Sequence, residues 1–254
     1  MNPEKKLSGE ISLIGDKSIS HRSIIFGSIA EGVSEFSNVL ISGDTTATIE
    51  IFNSLGVDIE VKELNTLVIH GVGLNGLSKS KQALDAKSSG TTARLLTGLL
   101  ARQNFSSELI GSSQLSKRPM GRVINLLTEH GSGIKSNEGY LPIKFEKTES
   151  AFNTINTIVP SAQVKSALII ASLYHQEPTV ITENVPTRDH TERMLSHMGV
   201  GLVRMGSSIT VPPNQVLKPS SFRIPSDISS AAFLIAIGIL SSDKIVLKKV
   251  LINE

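Results

Sequence analysis

The chain has 254 residues, 39% hydrophobic and 19% charged, and its 25 Lys+Arg against 23 Asp+Glu leave a formal net charge of +2. That composition excludes a disordered chain, allows one large domain or two ordinary ones, and offers no global field for nucleic acid or a membrane surface. With no cysteine, a disulfide frame, a thiolate zinc site and a cysteine nucleophile are excluded together. The start Met1-Asn2-Pro3-Glu4-Lys5-Lys6 has no apolar core like that of a signal peptide, and Ala231 to Leu240 is too short to span a bilayer. A cytoplasmic protein is expected.

Ile11 to Ile14 alternates as a strand. Gly15-Asp16-Lys17-Ser18-Ile19-Ser20-His21-Arg22 then opens an apolar helix expected to run to Glu31 and stop at Gly32. A glycine turn, a lysine, a capping serine and an arginine one turn further on put cations beside free backbone N–H groups, which is the local chemistry that holds an anion. Glu35 to Val39 reads as a strand. Gly43 to Thr46 caps a helix with Ile49, Phe52 and Leu55 on one face and Gly56 at its end, and Val57 to Val61 with Thr66 to Ile69 forms a hairpin.

The order strand, helix, strand, helix, strand, strand then recurs. Gln82 to Ala86 is a strand, Ser88-Ser89-Gly90-Thr91-Thr92 opens a helix to Ala101, and Glu108 to Ile110 is a strand. A second helix, with Pro119 in its first turn, closes at Gly131 ahead of a strand over Leu141 to Phe145. A third copy has Ile155 to Val159, a helix opened by Ser161-Ala162-Gln163, Thr179 to Thr182, a helix over Thr191 to Met198 ended by Gly199, and Ser208 to Val211. A fourth begins with Phe222-Arg223-Ile224, a helix over Ala231 to Leu240 capped by Ser226 to Ser230, and a strand over Lys244 to Val250.

With Ser18, Ser88, Ser161 and Ser226 as equivalent caps the offsets are 70, 73 and 65 residues, and the helix-ending Gly56, Gly131 and Gly199 step by 75 and 68. Two markers at nearly one period indicate an internal repeat. One Ser/Thr cluster is an ordinary cap. Four starts ahead of helices apolar on nearly all sides, hence expected to be buried, have free N–H groups that need partners, and if they converge they make an anionic pocket.

Five blocks carry a resemblance: Gly15 to Arg22, Ser89-Gly90-Thr91-Thr92-Ala93-Arg94, Lys117-Arg118-Pro119-Met120, Ser161-Ala162-Gln163-Val164-Lys165 and Arg188-Asp189-His190-Thr191-Glu192. Together, in order and across the chain from about residue 10, the sequence resembles the 5-enolpyruvylshikimate-3-phosphate synthases. The resemblance implies an inside-out α/β fold of repeated βαβαββ units with buried helices. Residues 15–220 would form one complete domain of three units, and residues 1–14 with 221–254 an incomplete other domain. It also implies the reaction, transfer of the enolpyruvyl group of phosphoenolpyruvate to the 5-hydroxyl of shikimate 3-phosphate through a tetrahedral intermediate, with loss of phosphate. No cofactor and no metal are implied, and the partners are the two small substrates of a monomer.

By position, the resemblance puts Lys17 in contact with both substrates as the electrostatic catalytic residue. Ser18, Arg22, Ser161, Ala162, Gln163 and Arg188 would hold shikimate 3-phosphate. Gly90 would let the backbone approach phosphoenolpyruvate, with Arg118 as its clamp and Gln163 reaching it as well. Substrates carrying two phosphates and two carboxylates need fixed cations and backbone donors to offset their repulsion. On residue types alone, Arg118 and Arg188 are solvated surface arginines. His21 reads as a locally packed side chain, and His190 and Glu192 as local hydrogen-bonding partners, since residues two apart on a helix are a poor metal site.

Ser88 stands where many members have asparagine. The family's proton-transfer aspartate and glutamate lie beyond the sequence at hand, so a substrate-binding piece of a longer enzyme is expected, with little turnover alone. The blocks around His21-Arg22, Val164-Lys165 and Arg188 to Glu192 resemble the glyphosate-tolerant class II. Two alternatives remain. One is the sister transferase acting on UDP-N-acetylglucosamine, against which Ser18 and the absence of cysteine argue; the other is a non-catalytic phosphometabolite-binding module.

Overall fold

In a computed structural model, the structure describes residues 8–148, 153–157, 159–241 and 244–253. Residues 1–7 and 254, and Ile158 within the expected strand Ile155 to Val159, lie outside the described residues. The elements run β1 (Gly9–Ser12), α1 (Lys17–Ser28), β2 (Glu31–Ser37), α2 (Gly43–Ser54), β3 (Asp58–Lys62), β4 (Thr66–Val72), β5 (Leu84–Asp85), α3 (Gly90–Leu100), β6 (Ser107–Ile110) and α4 (Gly121–Glu129). They continue with β7 (Gly133–Asn137), β8 (Tyr140–Glu146), β9 (Thr154–Thr157), α5 (Ala162–Ser172), β10 (Thr179–Glu183), α6 (His190–His197), β11 (Val203–Met205), β12 (Ser208–Val211), β13 (Ser221–Arg223), α7 (Ile228–Ser241) and β14 (Ile245–Lys248).

Three four-stranded sheets carry the repeat: β13-β2-β4-β3, β5-β6-β8-β7 and β9-β10-β12-β11. In each, the first two strands are parallel and the remaining neighbours antiparallel. β5 and β9 precede the first helix of their own unit. The strand before α1 does not do the same: β1 pairs in parallel with β14 in a separate two-stranded sheet, and β13 occupies the vacated edge beside β2. The strand expected at Phe222-Arg223-Ile224 to open the fourth unit is β13, and it completes the sheet of the first. The two crossing segments meet antiparallel at Gly15 and Ser226, with Asp16 N–H donating to the Pro225 carbonyl (2.8 Å) and Asp227 N–H to the Ile14 carbonyl (3.1 Å). A Cβ on Gly15 would stand 1.9 Å from the Asn38 carbonyl oxygen, so only glycine allows this close approach.

The first helix of each complete unit is buried. Ile24, Ile25 and Phe26 of α1 are fully enclosed with Phe36 and Ile69 of their own sheet, as are Leu95, Leu96 and Leu99 of α3 and Leu168, Ile169 and Ile170 of α5. Each such side chain contributes about 1.5–3 kcal/mol relative to exposure. α3 and α5 touch backbone to backbone: a Cβ on Gly98 would lie 2.0 Å from the Ala167 carbonyl oxygen.

Several expectations are corrected. α1 ends at Ser28, and Glu31 and Gly32 begin β2 instead of closing the helix. The caps are Asp16 and Ser89, not Ser18 and Ser88; Ser161 does cap α5, and at α7 it is Asp227 that accepts from Ser229 N–H (2.9 Å). The repeat becomes more even for it, stepping 73 and then 72 residues from Asp16 to Ser89 to Ser161. Pro119 lies before α4 because Met120 is its N-cap. β7 and β11 were not foreseen, since Gly133–Asn137 and Val203–Met205 are short, largely solvated edge strands without an alternating pattern. α7, expected to be buried, buries only Ala231: Phe233 is 77% and Leu240 86% exposed. Among the described elements β14 packs beside α7, and most of the helix surface is left exposed.

Candidate anion-binding site

The starts of α1, α3, α5 and α6 converge. A cavity of about 210 Å³ is lined by Ser18 and Arg22 of α1, Thr91 of α3, Ser161, Ala162 and Gln163 at the start of α5, Arg188, and His190 of α6. Of the four starts singled out from sequence, those of α1, α3 and α5 meet here and that of α7 does not; α6 supplies the fourth. N-terminal dipoles aimed at one space favour an anion there.

Side-chain caps fix three of the four starts: Asp16 accepts from Ile19 N–H (2.8 Å), Ser89 from Thr92 N–H (3.2 Å) and Ser161 from Val164 N–H (3.4 Å), whereas Asp189 at the start of α6 makes no side-chain cap bond. Arg22 is almost wholly buried and held on three sides. Nε donates to Thr191 Oγ1 (2.7 Å), Nη2 to Ser166 Oγ (2.6 Å) and Nη1 to the Ser18 carbonyl (2.9 Å). Burial pushes its pKa down to about 10, while Glu192 and Asp16 oppose that shift, so the guanidinium stays charged at neutral pH. The fixed cation supplies charge to the cavity without having to reorganise.

A second cluster adjoins the first. Gln163 accepts from Arg94 Nη1 (3.1 Å) and donates to Thr91 Oγ1 (3.1 Å). Arg94 also leans on the Gly90 and Pro119 carbonyls (3.4 Å each), and an ideal Cβ on Gly90 would meet Arg94 Nη1 at 2.9 Å and Arg118 Nη1 at 3.4 Å. Burial lowers the Arg94 pKa, helped by the neighbouring cations Arg118 and Arg122.

Of the residues singled out from sequence, Ser18, Arg22, Ser161, Ala162, Gln163 and Arg188 share the cavity, while Gly90 and Arg118 join it through Arg94 and Gln163. Lys17 is not among the cavity's lining residues: half-exposed at the first position of α1, it is ion-paired with Asp44 of α2. Ser88 bonds Ser112 (3.0 Å). Thr91 and Arg94 stand in the quoted block but were given no role, although Arg94, four residues after Gly90, lies on the same helix face. The local reading of His190 and Glu192 is corrected. His190 lines the cavity and is held below its usual pKa, chiefly by burial, and Glu192 pairs with the distant Lys165 (2.7 Å). His21 does bond close by, to Thr48 Oγ1 (2.9 Å), which continues to Thr92 (2.8 Å). Asp58, Glu60 and His70 on the exposed β3–β4 hairpin place one potential cation-ligand atom each within 4.8 Å of the others; Glu60 already faces Lys62 and His70. No helix among the described residues is long and apolar enough to cross a membrane.

Comparison with known proteins identifies the family of the chain. The family model for EPSP synthase (3-phosphoshikimate 1-carboxyvinyltransferase) matches residues 1–254. The 3-phosphoshikimate 1-carboxyvinyltransferase of Vesicomyosocius okutanii is 48% identical over 237 residues, covering 92% of this chain and 54% of the relative, and that of Ruthia magnifica is 48% identical over 100% of this chain and 58% of the relative. The solved EPSP synthase of Acinetobacter baumannii superposes with a TM-score of 0.91 at 38% identity, over 99% of this chain and 57% of that one. The chain therefore spans little more than half the length of these relatives, and it belongs to the EPSP synthase family.

Proposed function

We propose that the cavity holds the phosphate and ring of shikimate 3-phosphate, and that the Gly90, Arg94 and Arg118 cluster takes phosphoenolpyruvate. Gln163 bridges the two. The observation that carries this reading is the convergence of four helix starts with the fixed Arg22 and the rim residue Arg188 on one small polar space, with a second cationic cluster one hydrogen bond away. In the whole enzyme the 5-hydroxyl of shikimate 3-phosphate would add to C2 of phosphoenolpyruvate, and the tetrahedral adduct would then lose phosphate. This chain's part is positional and electrostatic, holding two anionic substrates against their repulsion.

Lys17 would leave Asp44 to meet both substrates; its half-exposed place in the first turn of α1, next to the cavity residue Ser18, supports this assignment. Turnover would depend on the proton-transfer aspartate and glutamate that the family resemblance implies beyond this sequence. The three complete units would form one domain, with β1, α7 and β14 beginning another. A monomer in the cytoplasm is the proposed state.

Calorimetry with shikimate 3-phosphate tests the site. Micromolar binding is expected, weakened at least about tenfold by Gln163→Ala and by Arg188→Ala. Arg22→Ala is unsuitable because it strips a buried network. No binding at millimolar ligand would overturn the assignment of the site to this chain.

A further inference from the structure

Arg188 reaches the cavity from residues 184–189, a connection with no helix or strand of its own. Its backbone is held by one buried side chain. Lys165, fully enclosed in the first turns of α5, donates from Nζ to the Thr187 carbonyl (3.2 Å) and to Glu183 Oε2 (2.9 Å), and stands 2.7 Å from Glu192 Oε1. Thr187 Oγ1 donates to the other Glu183 oxygen (2.5 Å). Thr187 is thus fastened through both carbonyl and hydroxyl, one peptide bond before Arg188. The ammonium donates hydrogen bonds to the end of β10 and to the connection, and is ion-paired with Glu192 at the start of α6.

A bare packing role does not call for this arrangement. Apolar side chains of similar volume commonly replace a buried ion cluster without loss of stability. The cluster also faces the site twice: Glu192 supplies counter-charge to Arg22, and Ser166, next to Lys165, accepts from Arg22 Nη2. Both guanidiniums at the cavity therefore trace back to neighbouring residues of α5.

We propose that Lys165 is a positioning residue for anion binding, fixing through Thr187 and Glu183 the backbone that presents Arg188. The proposal rests on the reading of the cavity as the shikimate 3-phosphate site.

Lys165→Met leaves two buried carboxylates without their cation and can unfold the chain, so the test centres on Thr187→Val, which keeps shape and removes one fastening. Calorimetry with shikimate 3-phosphate should show binding weakened roughly five- to tenfold, the thermal midpoint nearly unchanged, and recovery in Thr187→Ser. Combined with Arg188→Ala, Thr187→Val should add nothing beyond Arg188→Ala alone. Wild-type affinity in Thr187→Val, or an effect that adds fully to Arg188→Ala, would overturn the proposal. A ligand-free arm separates the two readings: the backbone order parameter at Arg188, near 0.85 when fixed, should fall toward 0.6 in Thr187→Val. If the wild type binds no shikimate 3-phosphate, the site reading fails and this arm alone decides the clasp; an unchanged order parameter refutes it.

Discussion

His21 makes acid stability a direct probe of the helix starts. The imidazole is wholly buried in α1, its Nδ1 is 2.9 Å from Thr48 Oγ1, and its Nε2 has no hydrogen-bond partner among the described residues. Burial holds its pKa down at about 3 against an ordinary 6.5; Asp44 opposes the shift, and Lys17 and Arg22 add to it. A depressed pKa means that the unfolded chain takes up the proton first. The stability contributed by keeping His21 neutral is therefore present above pH 6.5 and is lost as pH falls from 6.5 toward 3, at up to about 1.4 kcal/mol per unit. Between pH 7 and pH 4 this amounts to roughly 3 kcal/mol. His21→Asn keeps a polar atom near Thr48 and removes the titration. Urea unfolding at pH 7, 5.5 and 4 should give a wild type that loses stability faster than the variant by that amount, whatever their offset at pH 7. The carboxylates are common to both proteins and cancel. Parallel pH dependences would refute the reasoning.

Gly98→Ala should destabilise the chain by about 2–4 kcal/mol, because its methyl would stand 2.0 Å from the Ala167 carbonyl oxygen and the buried helices must part; a urea midpoint at or above wild type would contradict the packing. Gly90→Ala meets the flexible ends of Arg94 and Arg118 closely and Leu115 at ordinary contact distance, so the fold should persist while phosphoenolpyruvate affinity, measured by calorimetry with shikimate 3-phosphate present, falls roughly tenfold. Unchanged affinity would remove Gly90 from the site. Asp44→Asn frees Lys17 and should tighten shikimate 3-phosphate binding by roughly two- to fivefold at a stability change under about 1 kcal/mol; weaker binding would show that Asp44 orients Lys17 toward the ligand.

The repeat was readable because Ser/Thr helix starts and glycine helix ends are local signals, fixed by capping and by positive backbone angles such as those at Gly56, Gly131 and Gly199. Capping also explains the misplacements. Asp16 and Ser18 are both good N-caps, and which one serves depends on where the crossing segment delivers the chain. Arg118 and Arg188 are exposed, as residue type suggests, yet one stands beside Gly90 and the other at the cavity. Composition cannot separate a solvated arginine from one at the rim of a site. Lys165 was quoted only within a resemblance and Glu192 was read as a local partner, because their pairing joins residues 27 apart through a fold that no local pattern encodes.

The exchange of β1 for β13 is the feature with most bearing on the site. α7 is as apolar as α5, yet it is largely exposed where α5 is buried, so composition alone does not set burial; enclosing elements do. α1 stands where those environments meet. Its cap residue Asp16 receives the returning segment through Pro225, Asp227 in turn bonds Ile14, and Asn253 Nδ2 donates to Asp189 Oδ1 (2.7 Å) beside Arg188. The returning segment is thus fastened to the start of α1, which carries Arg22, and the stretch after β14 to the connection that brings Arg188 to the cavity. A site built wholly inside the three units would need neither fastening. Cationic groups at the exchange point instead make the geometry of the anion cavity depend on how β1 and β13 leave their respective sheets, which is a reason for the close approach at Gly15 to be paired with a cap at Asp16 and a buried arginine at position 22.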